Sequence, residues 1–291
     1  MPTPKLTKGL MEVEIIHETE YAYQSEVFLE PHYFRFKPKT TPYAELKSFS
    51  LKVSPEPTGI SEQTDPENNT IHFSWYDGMH SKLKIRTVSV LAIKHYNPFN
   101  FLLSPPTYNQ LPFSYSEDLN VVLKPSLNLV SIGKDLKEYG AQILAKANEN
   151  TLTFLSEFTK RIHEDFVLEI REVGEPYQPD ETFRLKKGSC RDLAWMQIQI
   201  LRQMGIAARF VSGYFYVDVK EPQYELHGWT EVFLPGAGWI GFDPSNGIRT
   251  TNTYFPLCAS ASFQNTMPVS GSVRGDALSI LTTSLEIKAL P

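Results

Sequence analysis

The hydrophobic period of this chain changes twice, from two to about three and a half and back to two. That succession limits the folds available. In the first third, Met11–Tyr23 alternates through Val13, Ile15, Tyr21 and Tyr23, and Lys47–Val53 through Phe49, Leu51 and Val53. Thr70–Tyr76 and Lys82–Ile93 continue the alternation, the latter through Leu83, Ile85, Val88 and Val90. Pro55, Pro57, Gly59, Asp65, Pro66, Asn68 and Asn69 separate the runs, so the pattern predicts short strands in a sandwich or barrel. Residues 97–128, with Pro98, Pro105, Pro106, Pro112 and Pro125, are too apolar for a free linker and read as an ordered crossing.

Helical spacing then takes over. Leu152, Leu155, Phe158, Ile162 and Phe166 form one stripe behind Thr151, a candidate N-cap. A second helix starts near Ser189, with Leu193, Met196, Ile200 and Met204 on one face and Gly205 at the position of a C′ glycine. Three strands follow, Ala208–Val219, Gly228–Leu234 and Gly238–Asp243, separated by Glu221-Pro222 and Pro235-Gly236. Ala277–Leu290 adds one or two more. The expected units are a β-rich domain with its proline-rich connection (1–125), a core (126–255) and a C-terminal extension (256–291).

At 41% apolar and 21% charged residues, the chain has ample material for a packed core. A net charge of 28 − 33 = −5 argues against a bulk electrostatic grip on nucleic acid. Met1–Leu10 contains no apolar leader, and no run approaches the length of a membrane helix. The expectation is a cytoplasmic protein with neither nucleic acid nor membrane as partner. No acidic calcium loop and no metal-ligand spacing is visible among the seven histidines, so no metal or cofactor is expected.

The two cysteines differ. Cys190 sits at the start of the second helix, where unpaired amides favour a thiolate, and Arg184, Lys186, Lys187 and Arg191 surround it in sequence. Cys258 has neither feature and reads as structural. A thiol nucleophile needs a base, and the base needs an orienter. His227 is the single histidine after Cys190 and opens a strand; Asp243 ends the next. Strands joined by a short turn pair antiparallel, which makes His227 and Asp243 neighbours at one sheet edge.

Gly188-Ser189-Cys190-Arg191-Asp192-Leu193-Ala194, Leu201–Tyr214, His227-Gly228-Trp229-Thr230-Glu231-Val232 and Pro235–Gly247 resemble the core of bacterial transglutaminase-like proteins. His17-Glu18-Thr19-Glu20-Tyr21-Ala22-Tyr23 and Arg35-Phe36-Lys37-Pro38 resemble the β-rich N-terminal domain that accompanies that core. The resemblance implies an α+β, papain-like core beside a β-sandwich-like domain, with Cys190 as nucleophile, His227 as general base and Asp243 as its orienter. It further implies a cysteine protease or amidase that acts through an acyl-enzyme on a peptide or protein substrate. Amine-resolving transglutaminase activity, acetyltransferase-like acyl transfer and a non-catalytic binding module are the alternatives.

Four further residues are candidate cleft residues. Asp192 reads as a cleft hydrogen-bonder, a first-turn acid favoured by the helix dipole, or a partner of Arg209. Trp229 shares the base's face of its strand, as a shield or as core. Trp195 and Tyr214 line the cleft, donate to an oxyanion or fill the core. Lys186 and Lys187 read as a solvated loop or as a grip on acidic substrate. The backbone N–H of Cys190 is the expected oxyanion donor, and the sequence assigns no second one.

Overall fold

The computed structural model describes residues 11–171, 174–217, 219, 222 and 224–290. The reading of Met1–Leu10 and the turn residue Glu221 lie outside them. The front domain comprises β1 (Met11–Leu29), β2 (His32–Phe34), β3 (Ala44–Ser54), β4 (Gly59–Thr64), β5 (Thr70–Trp75) and β6 (Met79–Ile93). After the crossing come α1 (Glu117–Leu127), α2 (Lys134–Lys146), α3 (Thr151–Asp165), β7 (Val167–Leu168), α4 (Pro179–Leu185), β8 (Lys187–Gly188) and α5 (Cys190–Gln203). The chain then runs through β9 (Ala208–Phe215), β10 (Leu226–Leu234), β11 (Gly238–Asp243), β12 (Ile248–Arg249) and β13 (Tyr254–Ser260). It ends with β14 (Val269–Ser270), β15 (Val273–Arg274) and β16 (Ser279–Leu290). The fold is α+β.

In the core, the antiparallel sheet β12-β11-β10-β9-β13 carries the helices on one face, with α5 packed on β10 and β9. Ala194, Ile198 and Leu201 meet Phe210, Val232 and Phe242 there in one buried cluster. α2 approaches α5 closely because it does so at Gly140: a Cβ there would stand 2.6 Å from Ile200 and 2.7 Å from Met204. In the front domain, one sheet has β6 between β1 and β3, with β15 and β16 both pairing β1 on its other side. The second sheet is β14-β2-β5-β4. Val27, Leu29, Phe34, Phe36, Tyr76, Leu83 and Ile85 fill the space between them, as the alternation predicts.

The N-cap of α3 is Asn150, whose side chain accepts from the Thr153 amide, with Thr151 the first helical residue. Three further features differ from the sequence reading. β9 ends at Phe215, short of Val219. The crossing contains α1, whose pattern is masked because Val121 and Val122 face solvent and Pro125 lies within it. The tail from residue 256 is not a separate extension. β13 is the edge strand of the core sheet, with Ala259 opposite Val211, so a boundary at 255/256 falls inside it. β14, β15 and β16 return to the front sheets, where β16 pairs along β1 from Glu12–Leu290 to Tyr23–Ser279.

Candidate active site

The site is built outward from the first turn of α5. Ser189 caps the helix, and both its N–H and its Oγ donate to Asp192 Oδ2 at 2.7 Å, closing a capping box. Asp192 Oδ1 accepts from the Tyr177 amide at 2.7 Å and the Arg171 guanidinium at 2.5 Å. The fully buried Asp192 is thus an anchor between the helix start and the preceding loop, not a cleft group. Arg209 pairs instead with Glu231 at 2.7 Å. Arg191 donates to the Arg171 carbonyl, fixing the same loop from the other side.

This cap fixes the half-buried Cys190 at the first helical position, with its sulfur toward the start of β10. The His227 ring and the Gly228 backbone both lie close enough to Cys190 to favour its thiolate. His227 Nε2 donates to Asp243 Oδ2 at 2.7 Å, which leaves Nδ1 for the sulfur. The three residues expected as a set are therefore brought together, on helix, strand and strand.

Their charges support one another. Burial works against a Cys190 thiolate, but the His227 charge, the His227 hydrogen bond and the Gly228 amide outweigh it, and the thiol titrates below its ordinary value. Burial also works against an imidazolium at His227. Asp243 and the Cys190 thiolate overcome it and hold the ring's proton well above the ordinary histidine range. Asp243, fully buried, stays ionised far below the usual carboxylate range despite burial, because His227, Ser245 and Asn246 all stabilise its charge. The arrangement favours a thiolate–imidazolium pair. Cys258 behaves oppositely: burial pushes its thiol up to about 12, and its Sγ donates to the Asn265 carbonyl at 3.3 Å.

Cys190 and His227 open onto a cleft of about 400 Å³ between the two domains. Ser189, Arg191, Phe210, Ser212 and Gly228 line it from the core, residues 168–171 form one rim, and His17, Thr19 and Tyr21 of β1 with Leu281, Thr283, Ser284 and Leu285 of β16 form the far wall. The four candidate cleft residues lie elsewhere. Trp195 sits edge-on to Phe263, with ring centroids 5.0 Å apart, in the helical core. Tyr214 is buried against the front domain, its hydroxyl 3.0 Å from His17 Nδ1. Trp229 is buried beside His227 at 6.2 Å and edge-on to Tyr254 at 5.4 Å, so it shields the base's side of the strand from below. Lys186 covers the Phe183 ring at 3.6 Å, and Lys187 pairs with Glu169 at 2.7 Å.

Sequence reasoning missed the groups that hold Asp243. Oδ1 accepts from the Ser245 amide (2.9 Å) and hydroxyl (2.6 Å), and Oδ2 from Asn246 Nδ2 (2.7 Å) and the Tyr254 hydroxyl (2.8 Å). Ser245 and Asn246 follow the aspartate directly, in the position of an Asx-turn, which is a readable signal. Tyr254 reaches it from β13, and nothing local marks it. Among the described residues no cluster of His, Cys, Asp and Glu is arranged to hold a metal, and no helix is long and apolar enough to cross a membrane.

Comparison with known proteins agrees with this architecture. An uncharacterized protein of Mycobacterium tuberculosis is 22% identical over 278 residues, covering 91% of this chain and 88% of that one. A protein-glutamine gamma-glutamyltransferase of Pseudomonas aeruginosa is 29% identical over 92 residues, which is 28% of this chain and 14% of that one. A solved structure described as a "putative cysteine protease" from Cytophaga hutchinsonii superposes with a TM-score of 0.72 at 17% identity, over 97% of this chain and 92% of that one, a likeness of fold. Residues 13–92 match the bacterial transglutaminase-like N-terminal region and residues 137–244 match the transglutaminase-like superfamily. By these two matches, in this order along one fold, the chain belongs to the transglutaminase-like superfamily, a family of thiol-dependent enzymes, and carries the bacterial N-terminal region ahead of its core.

Proposed function

We infer that this protein is a cysteine amide hydrolase acting on peptide or isopeptide bonds through Cys190, His227 and Asp243. The observation that carries the reading is the 2.7 Å hydrogen bond from the His227 ring to a buried carboxylate, with that ring and the Cys190 thiol lining the same cleft. The thiolate attacks the substrate carbonyl carbon, and the tetrahedral adduct collapses as His227 gives its proton to the departing amine. His227, now neutral, takes a proton from water as that water attacks the thioester. Collapse expels the sulfur as thiolate, releases the acid and restores the thiolate–imidazolium pair. Asp243 holds the imidazole in the required orientation throughout.

A panel of peptide and isopeptide substrates, read by product mass and released amine or ammonia, tests this. Native protein is expected to cleave at least one member, and Cys190→Ala and His227→Ala to lose on the order of a thousandfold or more of that activity. Equal turnover by native protein and Cys190→Ala overturns the reading. The match to a gamma-glutamyltransferase supports a second reading, in which an amine rather than water resolves the thioester. Adding a primary amine to the panel separates the two, because transfer leaves the amine covalently in the product.

A further inference from the structure

The floor of the cleft carries a polar group that no described residue uses. Ser212, at the middle of β9, is 4% exposed and lines the cleft. Its Oγ has no hydrogen-bond partner among the described residues. Its neighbours are committed elsewhere. Cys258, opposite it on β13, donates its thiol to the Asn265 carbonyl. Tyr214, two residues along the same face, bonds His17, whose other ring nitrogen is 3.3 Å from Thr19 Oγ1. Buried hydroxyls are normally satisfied, because an unpaired one has lost water and gained nothing. A buried, unpaired hydroxyl that faces a cleft gains its partner when a ligand brings an acceptor.

The placement of Ser212 identifies that acceptor. On its other side Ser212 lies directly opposite Gly228 of β10, and both line the cleft with Cys190, whose thiolate the Gly228 backbone favours. Opposed residues of antiparallel strands share a face and stand about 4.5–5.5 Å apart between Cα atoms. The shared face is the one toward α5, since Ala208 and Phe210 of β9 pack in the α5 cluster. The hydroxyl and the sulfur therefore face the same cleft on either side of Gly228. A carbonyl under attack by that sulfur brings its oxygen there.

We propose that Ser212 is an oxyanion donor of this site, a role that rests on Cys190 being the nucleophile. As the sulfur lone pair forms the C–S bond, the carbonyl π pair moves onto oxygen. That oxygen accepts from Ser212 Oγ–H and from the unpaired Cys190 N–H at the start of α5. When the adduct collapses the pair returns, the leaving group departs and Ser212 keeps its proton.

The test contrasts two reagents on the full chain. Acylation by 4-nitrophenyl acetate develops an oxyanion, whereas alkylation by iodoacetamide displaces iodide at a saturated carbon and develops none. Ser212→Ala is expected to slow acylation of Cys190 on the order of 10- to 100-fold while leaving alkylation within about twofold. Ser212→Thr, which restores a hydroxyl, is expected to recover most of the acylation rate. Native acylation in Ser212→Ala, or equal loss of both reactions, overturns the proposal. Cys190→Ala acylating as fast as native protein instead overturns the nucleophile reading beneath it, and mass mapping of the acetyl group identifies that case.

Discussion

Both oxygens of Asp243 are crowded with donors, and this makes opposite predictions for two small substitutions. The carboxylate raises the His227 pKa, while the Tyr254 hydroxyl draws on the charge of the same Oδ2 that the imidazole uses. Asp243→Asn removes the charge, so the His227 midpoint is expected to fall by about one unit or more. Tyr254→Phe removes a competing neutral donor, concentrates the charge on the imidazolium, and is expected to raise that midpoint by a few tenths of a unit. Titration of the His227 ring by NMR reads both. A downward shift in Tyr254→Phe would show that its hydroxyl orients the carboxylate more than it competes for it. The divide between what is legible in the sequence and what is not follows reach along the chain. Cys190, His227 and Asp243 are marked by local context: a helix start, a strand start and a strand end. Tyr254 and Ser212 act through cross-strand neighbours, and register between distant strands is fixed by packing rather than by nearby residues.

At the scale of elements, α5 is legible because it obeys every local rule at once: an N-cap serine, an acid at N3, an unbroken apolar stripe and a terminal glycine. α1 and α2 are not, because each buries few side chains and so carries little periodic signal. The same N3 acid shows how a capping residue can also set a site. Asp192 accepts from Ser189, Tyr177 and Arg171 together, so its removal leaves a buried N–H unpaired and frees the loop that rims the cleft. Asp192→Ala is expected to cost about 2 kcal/mol of stability, the sum of a lost cap and a lost buried acceptor, measured as a lower urea midpoint at unchanged slope. Cys190 alkylation should slow in the same variant under conditions where it remains folded, since the sulfur's place depends on that first turn.

At the scale of the molecule, the two domains share buried surface and share strands. Val13, Ile15, Leu91 and Ile93 of the front sheet pack with Tyr214, Phe255 and Leu257 of the core in a single cluster, and β16 returns from the end of the chain to zip along β1. His17 sits at this seam, 5% exposed, between Tyr214 and Thr19, with the Phe36 ring edge-on at 4.9 Å. Burial lowers its pKa from 6.5 to about 4. The unfolded chain therefore binds a proton near pH 6.5 that the folded seam refuses until about pH 4, and stability is lost as pH falls through that window. The loss from this one residue is about 3 kcal/mol across the window. His32 and His72, also lowered by burial, add loss of the same sign. His17→Gln keeps a polar group at the seam but cannot titrate, so its urea midpoint should fall less than the native one between pH 6.5 and 5. Parallel pH profiles for the two proteins would show that protonation of His17 does not open the seam. If the profiles diverge, the cleft wall supplied by β1 is the part of the molecule that acid loosens first, and activity should decline with it below pH 6 while the Cys190–His227–Asp243 set stays intact.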